Sequence, residues 1–151
     1  MRQGVAWLCV VGSLLAVGVT GGRAPAPVGP TLDKETAAEV RKLQEKRREV
    51  LRQALEVRMK LYQSARAELD GVIETAKRLL AAEVDLAATG AERIAAHERH
   101  LKLAQMLVAV AKARHESSRG TAADVLDAQA SSLEATIGFL KAGGKLKKAE
   151  K

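Results

Sequence analysis

The sequence predicts an all-α protein made of antiparallel helical hairpins, either a four-helix up-down arrangement or a long two-helix coiled-coil hairpin, and three observations carry that prediction. Apolar residues recur at spacings of three, four and seven, and nowhere with the period of two that a strand requires. Thr36, Thr89 and Thr121 each stand three residues before an acid (Glu39, Glu92 and Asp124), the capping-box pattern in which a hydroxyl and a carboxylate satisfy the first amides of a helix. Alanine is abundant while aromatic residues make up 2% of the 151, so helices can approach closely but bury little bulk per contact, which suits extended coiled coils.

In chain order, residues 1–24 read as a secretory signal peptide: Arg2 gives a basic start, Val5 to Val19 an apolar stretch, and small residues precede Pro25. The stretch is about 15 residues, short of the roughly 20 that a membrane-spanning helix needs. Residues 25–35 form a Pro/Gly-rich linker. Cys9, the single cysteine, lies inside the apolar stretch, so the mature chain would hold no disulfide and must draw its stability from helix packing.

Residues 36–142 form one helical domain, with helices expected near 36–66, 69–88, 90–118 and 121–142. Val40, Leu43, Val50, Ala54, Val57 and Leu61 line one face of the first; Val72, Leu79, Ala82 and Leu86 that of the second. Ile94, Leu101, Val108 and Ala111 do so in the third, and Leu126, Leu133, Ile137 and Leu140 in the fourth. The junction 67–71 has no proline and only one late glycine, so the first two helices could instead run on as one rod that turns at Thr89-Gly90. Gly143-Gly144 closes the last helix, and residues 143–151 are a basic, flexible tail. Partly exposed apolar stripes on such helices would invite self-association or a partner helix.

Sliding the chain against itself by 53 residues aligns Thr36-Ala37-Ala38-Glu39 with Thr89-Gly90-Ala91-Glu92 and pairs Tyr62 with His115, Ser64 with Ser117, Arg66 with Arg119 and Val72 with Val125. Matched punctuation is less easily accidental than matched alanines, so an internal repeat of two helix pairs is expected.

The chemistry is sparse. His97 and His100 are three apart, not the four of a zinc-protease helix, and no third ligand is evident, so they read as surface or interhelical residues rather than a metal site. His115 is expected to pack at a turn as an amphipathic ring. No nucleophile motif, phosphate loop or cofactor signature occurs, and the run Arg41 to Glu49 mixes signs as solvated helix faces do. The chain reads as no enzyme, with no cofactor and no identifiable small-molecule substrate. Its +7 net charge is concentrated towards the ends, and no aromatics interleave with the terminal lysines to stack bases, which argues against nucleic acid.

The phrase Ala113 to Gln129, ARHESSRGTAADVLDAQ, resembles the helix-turn-helix signature of TolC-type outer-membrane efflux proteins, in which a helix ends at a short glycine-containing turn and the next opens on Asp-Val-Leu-Asp-Ala-Gln. The resemblance covers roughly residues 36–142. It implies an exported, periplasmic or outer-membrane-associated protein whose turn, Ser118, Arg119, Gly120, Thr121 and Asp124, meets an efflux adaptor or channel subunit. Val125, Leu126 and Ala128 would pack the hairpin. In a gap-free match the family's turn glycine falls on Ser118. The long amphipathic strands of a channel's barrel are missing, so this chain could not conduct alone. The expected partners are therefore proteins, or further copies of the chain, with peripheral contact to the envelope membrane. The alternative is a free periplasmic coiled-coil scaffold or chaperone without a transport role.

Overall fold

A computed structural model describes residues 33–146. The expected signal peptide, most of the expected linker and the end of the expected tail lie outside the described residues. Within them the chain forms four helices and no strand: α1 (Lys34–Gln63), α2 (Leu69–Leu86), α3 (Gly90–Glu116) and α4 (Ala122–Lys141). The fold class is thus all-α. None of these helices is long and apolar enough to cross a membrane.

Thr89 and Thr121 cap α3 and α4 as the capping boxes predict, with Glu92 and Asp124 returning the bond to the cap amide. Thr36 does not cap α1. The Asp33 carboxylate accepts from the Thr36 amide at 2.9 Å and from its hydroxyl at 2.8 Å, so the helix starts two residues early, at Lys34, inside the expected linker.

α1 and α2 do not run on as one rod. The Arg66 amide bonds the Leu61 carbonyl at 2.8 Å and the Ala65 amide bonds that of Tyr62 at 3.0 Å, the Schellman closure of a helix end. It needs a left-handed residue, and Ala65 supplies it at φ 57°. α3 closes in the same way, Arg119 to Arg114 at 2.8 Å and Ser118 to His115 at 2.9 Å, with Ser118 at φ 57°. The last helix ends on Gly143 at φ 96°. α1 and α3 end, and α2 and α4 begin, at positions 53 residues apart.

α1 packs on α2, α2 on α3, α3 on α4, and α2 more lightly on α4, while α1 and α4 share no extended interface. One core cluster gathers Leu55, Met59, Tyr62, Leu69, Val72, Ala76, Leu107, Ala111 and Ala128, contributed by all four helices. A smaller cluster of Leu101, Ala104, Ala135 and Phe139 joins α3 to α4. Burying one Leu- or Tyr-sized side chain stabilises by about 1.5–3 kcal/mol, so the few bulky members carry much of the fold. Arg47–Asp85 (3.5 Å), Arg52–Glu83 (3.6 Å), Arg99–Glu83 (2.8 Å) and Lys77–Glu134 (2.8 Å) add ion pairs between helices. Glu83 is nearly buried, whereas Arg47–Asp85 and Lys77–Glu134 are exposed pairs of the kind that contribute roughly 0.2–1 kcal/mol each.

Two expected faces are corrected. The α1 stripe is not core: Leu43, Val50 and Val57 are 57%, 56% and 55% exposed, and α1 buries Leu51, Leu55, Met59 and Tyr62 instead. On α4, Leu126 and Leu133 are 64% and 66% exposed, while Ala128, Ser131, Ala135 and Phe139 turn inward. Leu126 therefore does not pack the α3–α4 pair. Where the helices approach closely the interface takes the small residues Ala128, Ser131 and Ala135, and Phe139 is the one large side chain of α4 that enters, filling the smaller cluster.

Candidate functional site

The turn between α3 and α4 is rigid by its own hydrogen bonds. Ser117 Oγ donates to the carbonyls of Ala113 (2.9 Å) and Arg114 (3.0 Å). Arg114 Nη2 donates to the Arg119 carbonyl at 2.8 Å, tying the helix end to the far side of the turn. Thr121 and Asp124 exchange amide bonds at 3.1 Å each. Gly120 sits where a Cβ would lie 3.1 Å from Arg114 Cβ and 3.3 Å from Asp124 Oδ2, so any larger residue forces its neighbours apart. Ser118 holds the left-handed position, a conformation that glycine adopts most readily. The α1–α2 turn matches it: Ser64 Oγ donates to the carbonyls of Lys60 (2.9 Å) and Leu61 (3.1 Å).

The two turns meet at one end of the fold. Arg114 spreads its guanidinium over the Tyr62 ring, 3.9 Å from the centroid, in a cation–π contact. Tyr62 is fully buried, and its hydroxyl has no protein hydrogen-bond partner; Nε and Nη1 of Arg114 are likewise buried without one. Beside them lies a cavity of about 310 Å³ lined by Tyr62, Leu69, Asp70, Arg114, Arg119 and Thr121, among others. Burial pushes the Tyr62 phenol above its ordinary pKa, reinforced by the Asp124 charge and opposed by Arg114, so it is a neutral donor at physiological pH.

The cavity wall also carries Glu68, Asp70 and Asp127. The site therefore combines buried N–H and O–H donors with carboxylate acceptors. Ser118, Arg119 and Thr121 are exposed, and Gly120 and Asp124 are half-buried. The turn implied by the resemblance and the unpartnered polar atoms thus occupy one place. Sequence reasoning missed Tyr62 and Arg114, whose signal was a lone tyrosine at a helix end opposite an arginine at the matching helix end.

His115 departs from expectation. It is exposed, with Nδ1 3.4 Å from the Gly120 carbonyl, and Arg114 takes the place against the buried ring. His97 and His100 lie between helices, facing Lys77, Leu80, Glu134 and Gly138. Burial, with the charges of His97 and Lys77, holds the His100 imidazole below its ordinary pKa, while Glu134 and Glu83 act in the opposite direction. Among the described residues no three His, Cys, Asp or Glu side chains converge as metal ligands. A second cavity, about 470 Å³, lies towards the α2–α3 turn, where Arg41, Arg48, Arg52 and Arg99 interleave with Glu45, Glu83 and Glu92. Its glutamates are paired, but Arg48 Nε is buried there without a hydrogen-bond partner, and Glu92 is held below the ordinary carboxylate pKa by the amides of Thr89 and Ala88.

No family model, curated protein or solved structure matches this chain.

Proposed function

We propose that this chain is an exported, periplasmic helical protein related to outer-membrane efflux proteins, which acts without catalysis by protein–protein contact in an efflux or envelope assembly. Its contact surface is the turn Ser118, Arg119, Gly120, Thr121 and Asp124, backed by Tyr62 and Arg114. The observation that carries this reading is the end of the fold where two turns of like geometry enclose unpartnered donors of Arg114 and Tyr62 beside an open cavity. Buried polar atoms without partners are costly, about 1–3 kcal/mol each, and a docking loop whose arrival shifts Arg114 and uncovers them recovers that cost on binding.

In this reading the helices are two antiparallel hairpins descended from one duplicated unit. The 53-residue correspondence of helix ends, Schellman bonds and left-handed residues supports the duplication. The signature phrase supports the efflux kinship.

A second reading is a free periplasmic scaffold or chaperone, favoured by the exposed apolar stripes on α1 and α4. Cell fractionation followed by capture on the wild-type chain and on an Arg119→Glu, Thr121→Ala variant separates the two. Recovery of a transport adaptor or channel subunit from the envelope, lost in the variant, supports docking through the turn. Diverse unfolded clients recovered equally by both chains support the scaffold. Recovery of the chain in the cytoplasm contradicts both.

A further inference from the structure

The polar cavity towards the α2–α3 turn holds a cation that no described residue pairs. Arg41, Glu45, Arg48 and Arg52 stand four, three and four residues apart and so share one face of α1, although the mixed signs of this run read as a solvated surface. Glu83 of α2 and Glu92 and Arg99 of α3 close the other sides of a space of about 470 Å³.

Each carboxylate in this cavity is already engaged. Glu83, nearly buried, holds Arg99 at 2.8 Å and Arg52 at 3.6 Å. Glu45 pairs with Arg41 at 3.5 Å, and Glu92 accepts the amides of Ala88 and Thr89 at 2.7 and 3.1 Å. Arg48 is left over: it is half-buried, its Nε is shut off from solvent, and it makes no hydrogen bond or ion pair with any described residue. Its two terminal nitrogens are not shut off in this way, so the guanidinium offers them end-on as a two-toothed edge, and a small turn of the side chain brings Nε in as well. With four arginines against three glutamates, the lining carries one positive charge in excess.

We propose that this cavity binds a small organic carboxylate, taken up by the guanidinium of Arg48. A carboxylate matches a guanidinium edge with two parallel, charge-assisted hydrogen bonds. One excess positive charge suits a singly charged acid, whereas a phosphate group, at about −1.5 to −2, adds charge that the three glutamates oppose. The volume lies within the roughly 300–1,000 Å³ of small-molecule sites, and Leu86, Ala87 and Ala88 also line it, so the acid carries a short apolar body. Glu83 fixes Arg52 and Arg99 in the wall before any ligand arrives. The site stands apart from the docking turn and does not depend on it.

The test is a titration of the full chain with butyrate at constant ionic strength, followed by NMR at the Arg48 Nε–H and at the backbone amides of Ala87 and Ala88. A saturable shift is expected, with a dissociation constant of about 1–10 mM, as one charge-assisted contact at an open site allows. Butyramide, the same body without the charge, should produce none, and inorganic phosphate should bind about tenfold more weakly than butyrate. Arg48→Gln should abolish the response of the two alanine amides, and Arg48→Lys, which keeps the charge but not the paired edge, should weaken it about tenfold. Arg47→Gln alters a neighbour that pairs with Asp85 outside the cavity and should leave binding unchanged. Helicity and melting midpoint serve as folding controls for the variants, and the wild-type titrations stand without them. The absence of a saturable butyrate shift overturns the proposal. So do an equal response to butyramide or phosphate, undiminished binding in Arg48→Gln, or an equal loss in Arg47→Gln.

Discussion

The guanidinium carbon of Arg114 stands 3.9 Å from the centroid of the Tyr62 ring, so one cation–π contact locks the end of α3 onto the end of α1. Tyr62 also belongs to the core cluster that all four helices share. The same pair thus joins the packing of the fold to the surface offered at the turns. Tyr62→Ala is expected to cost about 3–5 kcal/mol in urea unfolding, as large aromatic deletions do. Tyr62→Phe should raise stability, by about 1–3 kcal/mol at most, because it removes a buried hydroxyl that has no protein partner. A double-mutant cycle with Arg114→Ala should return a coupling of about 0.5–2 kcal/mol.

Ala65 and Ser118 hold left-handed backbone at φ 57° without being glycine. Such a conformation costs a side chain roughly 1–2 kcal/mol, against about 0.5–1 kcal/mol for glycine's extra freedom when unfolded. Ala65→Gly and Ser118→Gly should each raise thermal stability, by a few tenths to about 1 kcal/mol. Gly120→Ala should lower it, since its Cβ would meet Arg114 and Asp124 at 3.1 and 3.3 Å.

The caps separate by residue. Thr89→Ala and Thr121→Ala should each cost about 1 kcal/mol, since each removes a side chain that caps a helix. At the start of α1 the loss should follow Asp33→Ala, with Thr36→Ala milder, because Asp33 is the cap. Chemical denaturation of the four variants checks the order.

Stability should depend on pH in two windows. His100 takes up a proton near its ordinary 6.5 when unfolded but only at lower pH when folded. Its contribution is therefore constant above pH 6.5 and declines as pH falls from there to the folded value, and His100→Gln should flatten that segment. Glu92 and Asp33 are held below 4.5 and 3.8 by the helix-start amides they accept from. Their stabilisation is present above those values and is lost as pH falls through the lower folded ones; Glu92→Gln should make the acid limb shallower. Melting midpoints across pH 3–8 resolve both, on the ordinary titration ranges of these groups.

The helices themselves were legible because their starts are written in local chemistry. Thr89 and Thr121 cap where their acids three residues on predict, and Gly143 ends α4. The α1–α2 break was ambiguous because the left-handed residue is Ala65, which carries no glycine signal; only the backbone bonds of Arg66 and Ala65 reveal the closure. Choosing the core face failed on α1 and α4 for a different reason. Periodicity marks an apolar stripe but not whether another helix lies against it, and α4 turns Ala128 and Ala135 inward while Leu126 and Leu133 face out. The turn residues 118–121 were visible in the motif. Their backing by Tyr62 and Arg114 was not, because it joins positions brought together only by folding.

Site-specific photocrosslinking from position 119 in living cells tests the central claim, that the end of the fold around Tyr62 and Arg114 is where another protein docks, most directly. The account predicts one dominant envelope protein crosslinked from Arg119 and from Thr121. That signal should vanish in Arg114→Ala while helicity is retained, and should be absent from a control position in the α2–α3 turn such as Ala88. Crosslinks absent from the Arg119 and Thr121 positions, or equally strong from Ala88, would contradict it.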